Sequence, residues 1–195
     1  MVSGGLTPKI NEVKQALEVA NHQPINVMIR PNAKNFTYSW LAFQQMKWSI
    51  YRFAKTGVNG FVLGILKKGS HEIDEKRLRR LVKIAQKQNK EVVFHRAIDI
   101  VPDYNRALET LKNLGFKAVL TTGGQQTITN NLATLDQMRQ MQQLIIRAGG
   151  GVNQANAQEI SHHVDELHVG SAVRVDRWNS LIVVEKINQI KQLIN

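Results

Sequence analysis

A chain of 195 residues with 43% hydrophobic content can bury one substantial core, and no Pro/Gly/Ser-rich stretch divides it, so residues 1–195 are expected to form a single domain. No apolar run approaches the roughly 18 residues that cross a bilayer, and Met1 to Gly5 lacks the regions of a secretion signal, which predicts a cytoplasmic protein without a membrane partner. The absence of cysteine excludes disulfides, thiolate nucleophiles and thiolate metal sites. The net charge of +11 does not point to nucleic acid, because nine of the 26 basic residues fall between Lys67 and Lys90. There Leu78, Leu81, Val82 and Ala85 form the apolar stripe of a helix whose charges are its wet face, with no interleaved aromatics and no recognition motif.

Short apolar runs of β type begin near Pro24, Gly60, Glu91, Lys117, Gln143 and Asp165, and amphipathic stretches fill the gaps. This is the rhythm of β-α units around a parallel sheet. In chain order the pattern predicts a helix over 8–21, with Thr7 as N-cap and Pro8 at the first helical position, then a strand over 25–30. A helix over 40–56, closed by Gly57, leads to a strand over 61–66 and to the basic helix, for which Asp74 is the N-cap. A strand over 92–96 precedes a helix over 104–114, set between Asp103 and Gly115. Strands over 118–122, 144–148 and 167–170 alternate with helices near 132–142, 154–163 and the C-terminus. Trp40, Phe43 and Trp48 make the 40–56 helix unusually apolar, suited to core packing or to a self-interface.

In a barrel of parallel strands the outer positions pack under helices, and inward positions near the carboxyl ends face a ligand. Alternation assigns Val27, Ile29, Val92, Phe94, Leu144, Ile146, Leu167 and Val169 to the helix side, and Arg30, His95, Thr121, Arg147 and His168 to the mouth. Two arginines and two imidazoles with few carboxylates suit a phosphate, sulfate or carboxylate, with Arg30 and Arg147 as charge clamps and Arg96 beside them. The competing arrangement pairs those arginines with Asp99 or with rim carbonyls. His95 is the candidate acid or base, with Asp99 orienting it. Gly150, Gly151 and Ser171 stand in strand-to-helix loops of the kind that present amide groups to phosphate, with Asn153 as the N-cap, although tight turns need glycine in any case. The pair His162-His163 reads as helix-end chemistry, and Met138 with Met141 as core.

The segments Gly4-Gly5-Leu6-Thr7-Pro8, Val27-Met28-Ile29-Arg30-Pro31, Gly60-Phe61-Val62-Leu63-Gly64, Phe94-His95-Arg96-Ala97-Ile98-Asp99, Leu120-Thr121-Thr122-Gly123-Gly124 and Gly149-Gly150-Gly151-Val152-Asn153 stand in the order found in the CutC family, and the chain resembles that family over nearly its whole length. The resemblance implies a TIM-type (β/α)8 barrel in a cytoplasmic protein of copper homeostasis, with Cu(I) binding and no established reaction. In the family a strand, a helix and a second strand rich in Glu and Cys precede the segment at Gly4, whereas here Met1 lies almost on that segment. An incomplete, truncated barrel of about six strands is therefore expected, with open edges that a homo-oligomer could cover. The chain also has Asn32 where the family has a basic residue, Arg147-Ala148 where it has methionine and proline, and Trp40-Leu41-Ala42 where it has an acidic helix start. Soft Cu(I) prefers sulfur, and only Met28 and the imidazoles stand near the mouth, so the metal ligands are unassigned. Three readings stay open: copper homeostasis, an enzyme or binding protein for a small anionic ligand, and an inactive truncated paralogue.

Overall fold

The computed structural model describes residues 5–176 and 180–194. Its frame is one sheet whose strands follow chain order: β1 (Asn26–Met28), β2 (Gly60–Leu63), β3 (Glu91–Phe94), β4 (Ala118–Thr121), β5 (Ile145–Gly149) and β6 (Glu166–His168). Every pairing is parallel. Between and around them run α1 (Ile10–Val19), α2 (Trp40–Ala54), α3 (Glu75–Gln86), α4 (Tyr104–Leu114), α5 (Leu132–Gln140), α6 (Ala157–Ser161) and α7 (Val184–Ile194). The sheet curls into a half-barrel of the TIM type, and among the described residues β1 and β6 each pair on one side only.

Strand alternation produces two faces. Val27, Phe61 and Val92 align across the ladders, as do Phe94, Val119 and Ile146, and all six are buried under the helices. The inner row runs Met28, Val62, Val93, Ala118 and Ile145. Helices close the outer layer through apolar stripes such as Leu78, Leu81, Val82 and Ala85 of α3 and Leu108 and Leu111 of α4, with Met138 of α5 in the core. Helix starts are fixed where the sequence has short acceptors: Asp74 accepts from the Arg77 N–H at 3.1 Å, Asp103 from Arg106 at 3.1 Å, and Ser39 from Ala42 at 3.2 Å. Gly115 ends α4 at φ +90°, a conformation that costs glycine nothing. Among the described residues no helix is long and apolar enough to cross a membrane.

Two expected caps lie elsewhere. Thr7 accepts from the Arg30 N–H at 2.8 Å and donates its own N–H to the Arg30 carbonyl at 3.0 Å, so it is spent on extending the end of β1 and α1 starts later, at Ile10. Asn153 accepts from the Ala155 N–H at 2.8 Å and closes a turn, and α6 begins only at Ala157. His163 pairs with Asp136 of α5 at 2.8 Å, tying two helices together as a structural residue.

Candidate functional site

The carboxyl ends of the strands enclose a cavity of about 560 Å³. Its walls are largely apolar, from Met28, Phe36, Ile100 and Leu120, and its polar groups come from Arg30, His95, Arg96, Asp99 and His168. Gly124, Gly149 and Gly150 bring backbone to the same space.

His95 follows β3 directly and is 2% exposed. Its ring sits 4.9 Å from that of Phe36 and presses on Gly64, where a Cβ would stand 2.6 Å from Cε1. Nδ1 accepts from the Ala97 N–H at 3.2 Å, whereas buried Nε2 has no protein partner among the described residues. Burial, and then the positive charge of Arg30, lower the imidazole pKa to about 3. The ring is therefore neutral, and with its Nδ1 lone pair engaged its single proton lies on Nε2. His95 offers the site an uncharged N–H donor. It is poorly matched to acid–base work near neutral pH, where an effective group titrates close to the working pH.

Arg30 lies two residues past β1, with its guanidinium 4.8 Å from the centre of the Phe36 ring and Nη2 donating to the Ala33 carbonyl at 3.2 Å. Arg96 opens a 3-10 turn over Arg96–Ile100. Its Nε donates to Asp99 at 2.8 Å, its Nη2 donates to Thr122 Oγ1 at 3.2 Å, and its Nη1 lies against Gly150. A Cβ on Gly150 would stand 2.7 Å from that nitrogen, and its φ of +100° already requires glycine. Asp99, 4% exposed, is saturated by Arg96, Thr121 Oγ1 at 2.5 Å, the Thr122 N–H at 3.0 Å and Thr122 Oγ1 at 2.9 Å. The site's one buried carboxylate is thus consumed internally, and the field left in the cavity is positive. His168 stands at the far edge, its pKa lowered by partial desolvation and then by the charge of Arg147.

The structure brings Arg30, His95, Arg96, Asp99, Gly150 and His168 to this cavity and places Thr121, Arg147, Gly151 and Ser171 differently. Asp99 does not touch His95: the 3-10 turn rotates the carboxylate toward β4, so it orients Arg96 instead. Thr121 points to the helix side, since its partner across the ladder is outward-facing Ala148, and Leu120 takes the inward position. Arg147 is on the inner face but pairs with Glu166, its neighbour in register on β6, and lines a second cavity at the amino ends of the strands. Gly151 and exposed Ser171 lie outside the cavity wall. Phe36, Ile100, Leu120 and Gly124 are site residues that the residue types alone did not single out; strict alternation from Ala118 does find Leu120.

Copper does not fit this donor set. Neither nitrogen of His95 has a lone pair to give while Nδ1 holds the Ala97 bond, which leaves Met28 and His168. The chain has no cysteine, and among the described residues no group of three His, Asp or Glu side chains is placed to hold a metal ion.

The CutC family model matches residues 1–173. A family protein CutC of Treponema denticola is 38% identical over 88% of this chain and 70% of its own length. The copper homeostasis protein cutC homolog of Mus musculus is 36% identical over 82% of this chain and 58% of its own. Among solved structures, the putative copper homeostasis protein CutC of Streptococcus agalactiae superposes with a TM-score of 0.80 at 29% identity, covering 86% of this chain and 83% of that one. A deoxyribose phosphate aldolase of Aeropyrum pernix, 14% identical with a TM-score of 0.62 over 94% of this chain and 73% of its own, shares the fold alone.

Proposed function

This chain belongs to the CutC family, and from that premise and the cavity's geometry we propose that it is a cytoplasmic binding barrel for a small organic ligand bearing an oxyanion. The observation that carries the reading is the convergence of two guanidinium groups and one uncharged, buried N–H on an apolar-walled space whose only carboxylate is already satisfied. A phosphate, sulfate or carboxylate takes charge-assisted bonds from Arg30 and Arg96 and a neutral one from His95, and the ligand body lies against Met28, Phe36, Ile100 and Leu120. The copper homeostasis in the name of the mouse relative then comes to this chain as the process it serves through that ligand, with copper itself held elsewhere.

Thermal unfolding in inorganic phosphate, against chloride at matched ionic strength, tests this. Occupancy stabilises by about 2.7 kcal/mol at a hundredfold excess over the Kd. The expected rise in Tm saturates and is lost in Arg30→Ala but kept in Lys112→Ala on the outer face of α4. Equal responses from parent and both variants mean general salting and overturn the reading.

A further inference from the structure

Helix α2 carries an outward face that its fold does not explain. Phe43, Met46, Ile50 and Phe53 fill the core side, yet Trp40 is 66% exposed, Leu41 73%, Trp48 59% and Tyr51 49%. Leu41 and Trp48, seven residues apart, lie on one line along the helix, and Trp40 and Tyr51 lie together on one side of that line. Large apolar side chains grouped on a rigid surface mark a place of contact.

The charge around them says with what. No aspartate or glutamate occurs between Glu18 and Glu72, a span that holds seven Lys and Arg and contains the whole of α2. Packed beside α2 is α3, pinned to it by the Arg77 guanidinium 5.6 Å from the Phe43 ring and by a 2.6 Å bond from Arg77 to the Tyr38 carbonyl. The solvent side of α3 presents Lys76, Arg79, Arg80 and Lys83, of which, among the described residues, only Arg79 has an acidic partner, Glu75 at 3.6 Å. The surface is apolar along α2 and cationic on its α3 side, which opposes pairing with a second copy of itself and favours a negatively charged partner.

We propose that the outer face of α2, with the basic face of α3, seats this protein on an anionic phospholipid bilayer, lying in the interface without crossing it. Trp and Tyr prefer the headgroup layer, Leu41 adds an insertable aliphatic group, and Lys and Arg meet the lipid phosphates while their stems stay apolar. Single-stranded nucleic acid suits the face less well: Arg52 stands 4.9 Å over the Trp48 ring, covering a stacking surface, and Leu41 stacks on nothing.

Co-sedimentation of the full chain with vesicles tests this, using phosphatidylcholine alone and phosphatidylcholine with about 30% phosphatidylglycerol. The expected result is binding at least about tenfold stronger to the anionic vesicles, weakening as salt rises, with tryptophan emission quenched by lipid-borne bromine. Leu41→Gln with Trp48→Gln lowers that binding by about tenfold without moving Tm, since both side chains are exposed. Arg79→Gln, Arg80→Gln and Lys83→Gln together abolish the preference for phosphatidylglycerol while residual partitioning remains. The proposal is overturned by equal binding to both vesicles, by none, or by an anionic preference that the Leu41/Trp48 variant keeps. Concentration-dependent self-association in lipid-free solution that the same variant abolishes, or tighter binding to a single-stranded RNA oligomer lost in it, would reassign the face to a second copy or to nucleic acid.

Discussion

Replacing Asp99 by Asn keeps the shape of the side chain and removes its capacity to accept four hydrogen bonds. Oδ1 accepts from Thr121 Oγ1 and the Thr122 N–H, and Oδ2 from Arg96 Nε and Thr122 Oγ1. Two of those donors are N–H groups that cannot reverse, one facing each oxygen, so the new NH2 must oppose one of them. The lower-energy orientation puts it at the Oδ2 position, where Thr122 Oγ1 accepts from it while donating to the Gly124 carbonyl, 2.7 Å away. Arg96 is then released, and being half exposed it is taken up by water. The cost is one charge-assisted bond and a partial loss of the Thr121–Thr122 clamp, about 2 kcal/mol. Urea unfolding at unchanged m measures it. In an Arg96→Gln background the same Asn substitution is expected to cost half as much or less, because the released bond is already gone. A loss below about 0.5 kcal/mol in the parent, the range of ordinary surface changes, would refute the assignment of all four bonds to the Asp99 carboxylate.

His95 makes stability pH-dependent with a definite sign. Its pKa is about 3 when folded against 6.5 as the ordinary value, so the unfolded chain binds its proton first; the contribution is complete above pH 6.5 and is lost as pH falls toward 3, about 2 kcal/mol by pH 5. His95→Gln should flatten the stability profile over that range, and an unchanged slope would count against a buried neutral imidazole. Gly64→Ala puts a methyl group 2.6 Å from His95 Cε1 in a packed environment, and is expected to lower stability by about 1–3 kcal/mol and to weaken phosphate stabilisation. Near-parental stability and phosphate response would mean that the ring has room to move. Against a chromophoric Cu(I) chelator at low micromolar concentration the chain should retain no stoichiometric copper; retention would point to Met28, His168 and a rearranged His95.

The sheet was legible because apolar runs and helical stripes recur at the spacing of β-α units, and because Asp74, Asp103 and Gly115 carry their local chemistry in their residue types. The site was half legible. Arg30 and His95 stand at strand ends, where position follows from the strand itself, and both reach the cavity. Arg147 was misplaced because its partner depends on the β5–β6 register, which brings Glu166 beside it from 19 residues away. Thr121 was misplaced by one step of alternation, and that step exchanges the two faces of a strand. Asp99 escaped because a 3-10 turn, unmarked in the residue types, decides which neighbour its carboxylate meets. The apolar character of α2 was visible, but only the helix's orientation separates buried Phe43 from exposed Trp40 and Trp48.

Nitrogen-15 NMR of the imidazole during titration with inorganic phosphate reads whether His95 donates an uncharged N–H to an oxyanion held by Arg30 and Arg96. The expected result is an Nε2-protonated, neutral ring at pH 7, with an Nε2–H resonance that moves saturably with phosphate in the parent and not in Arg30→Ala. A ring protonated on Nδ1, or an Nε2–H signal indifferent to phosphate while Tm rises, would contradict it.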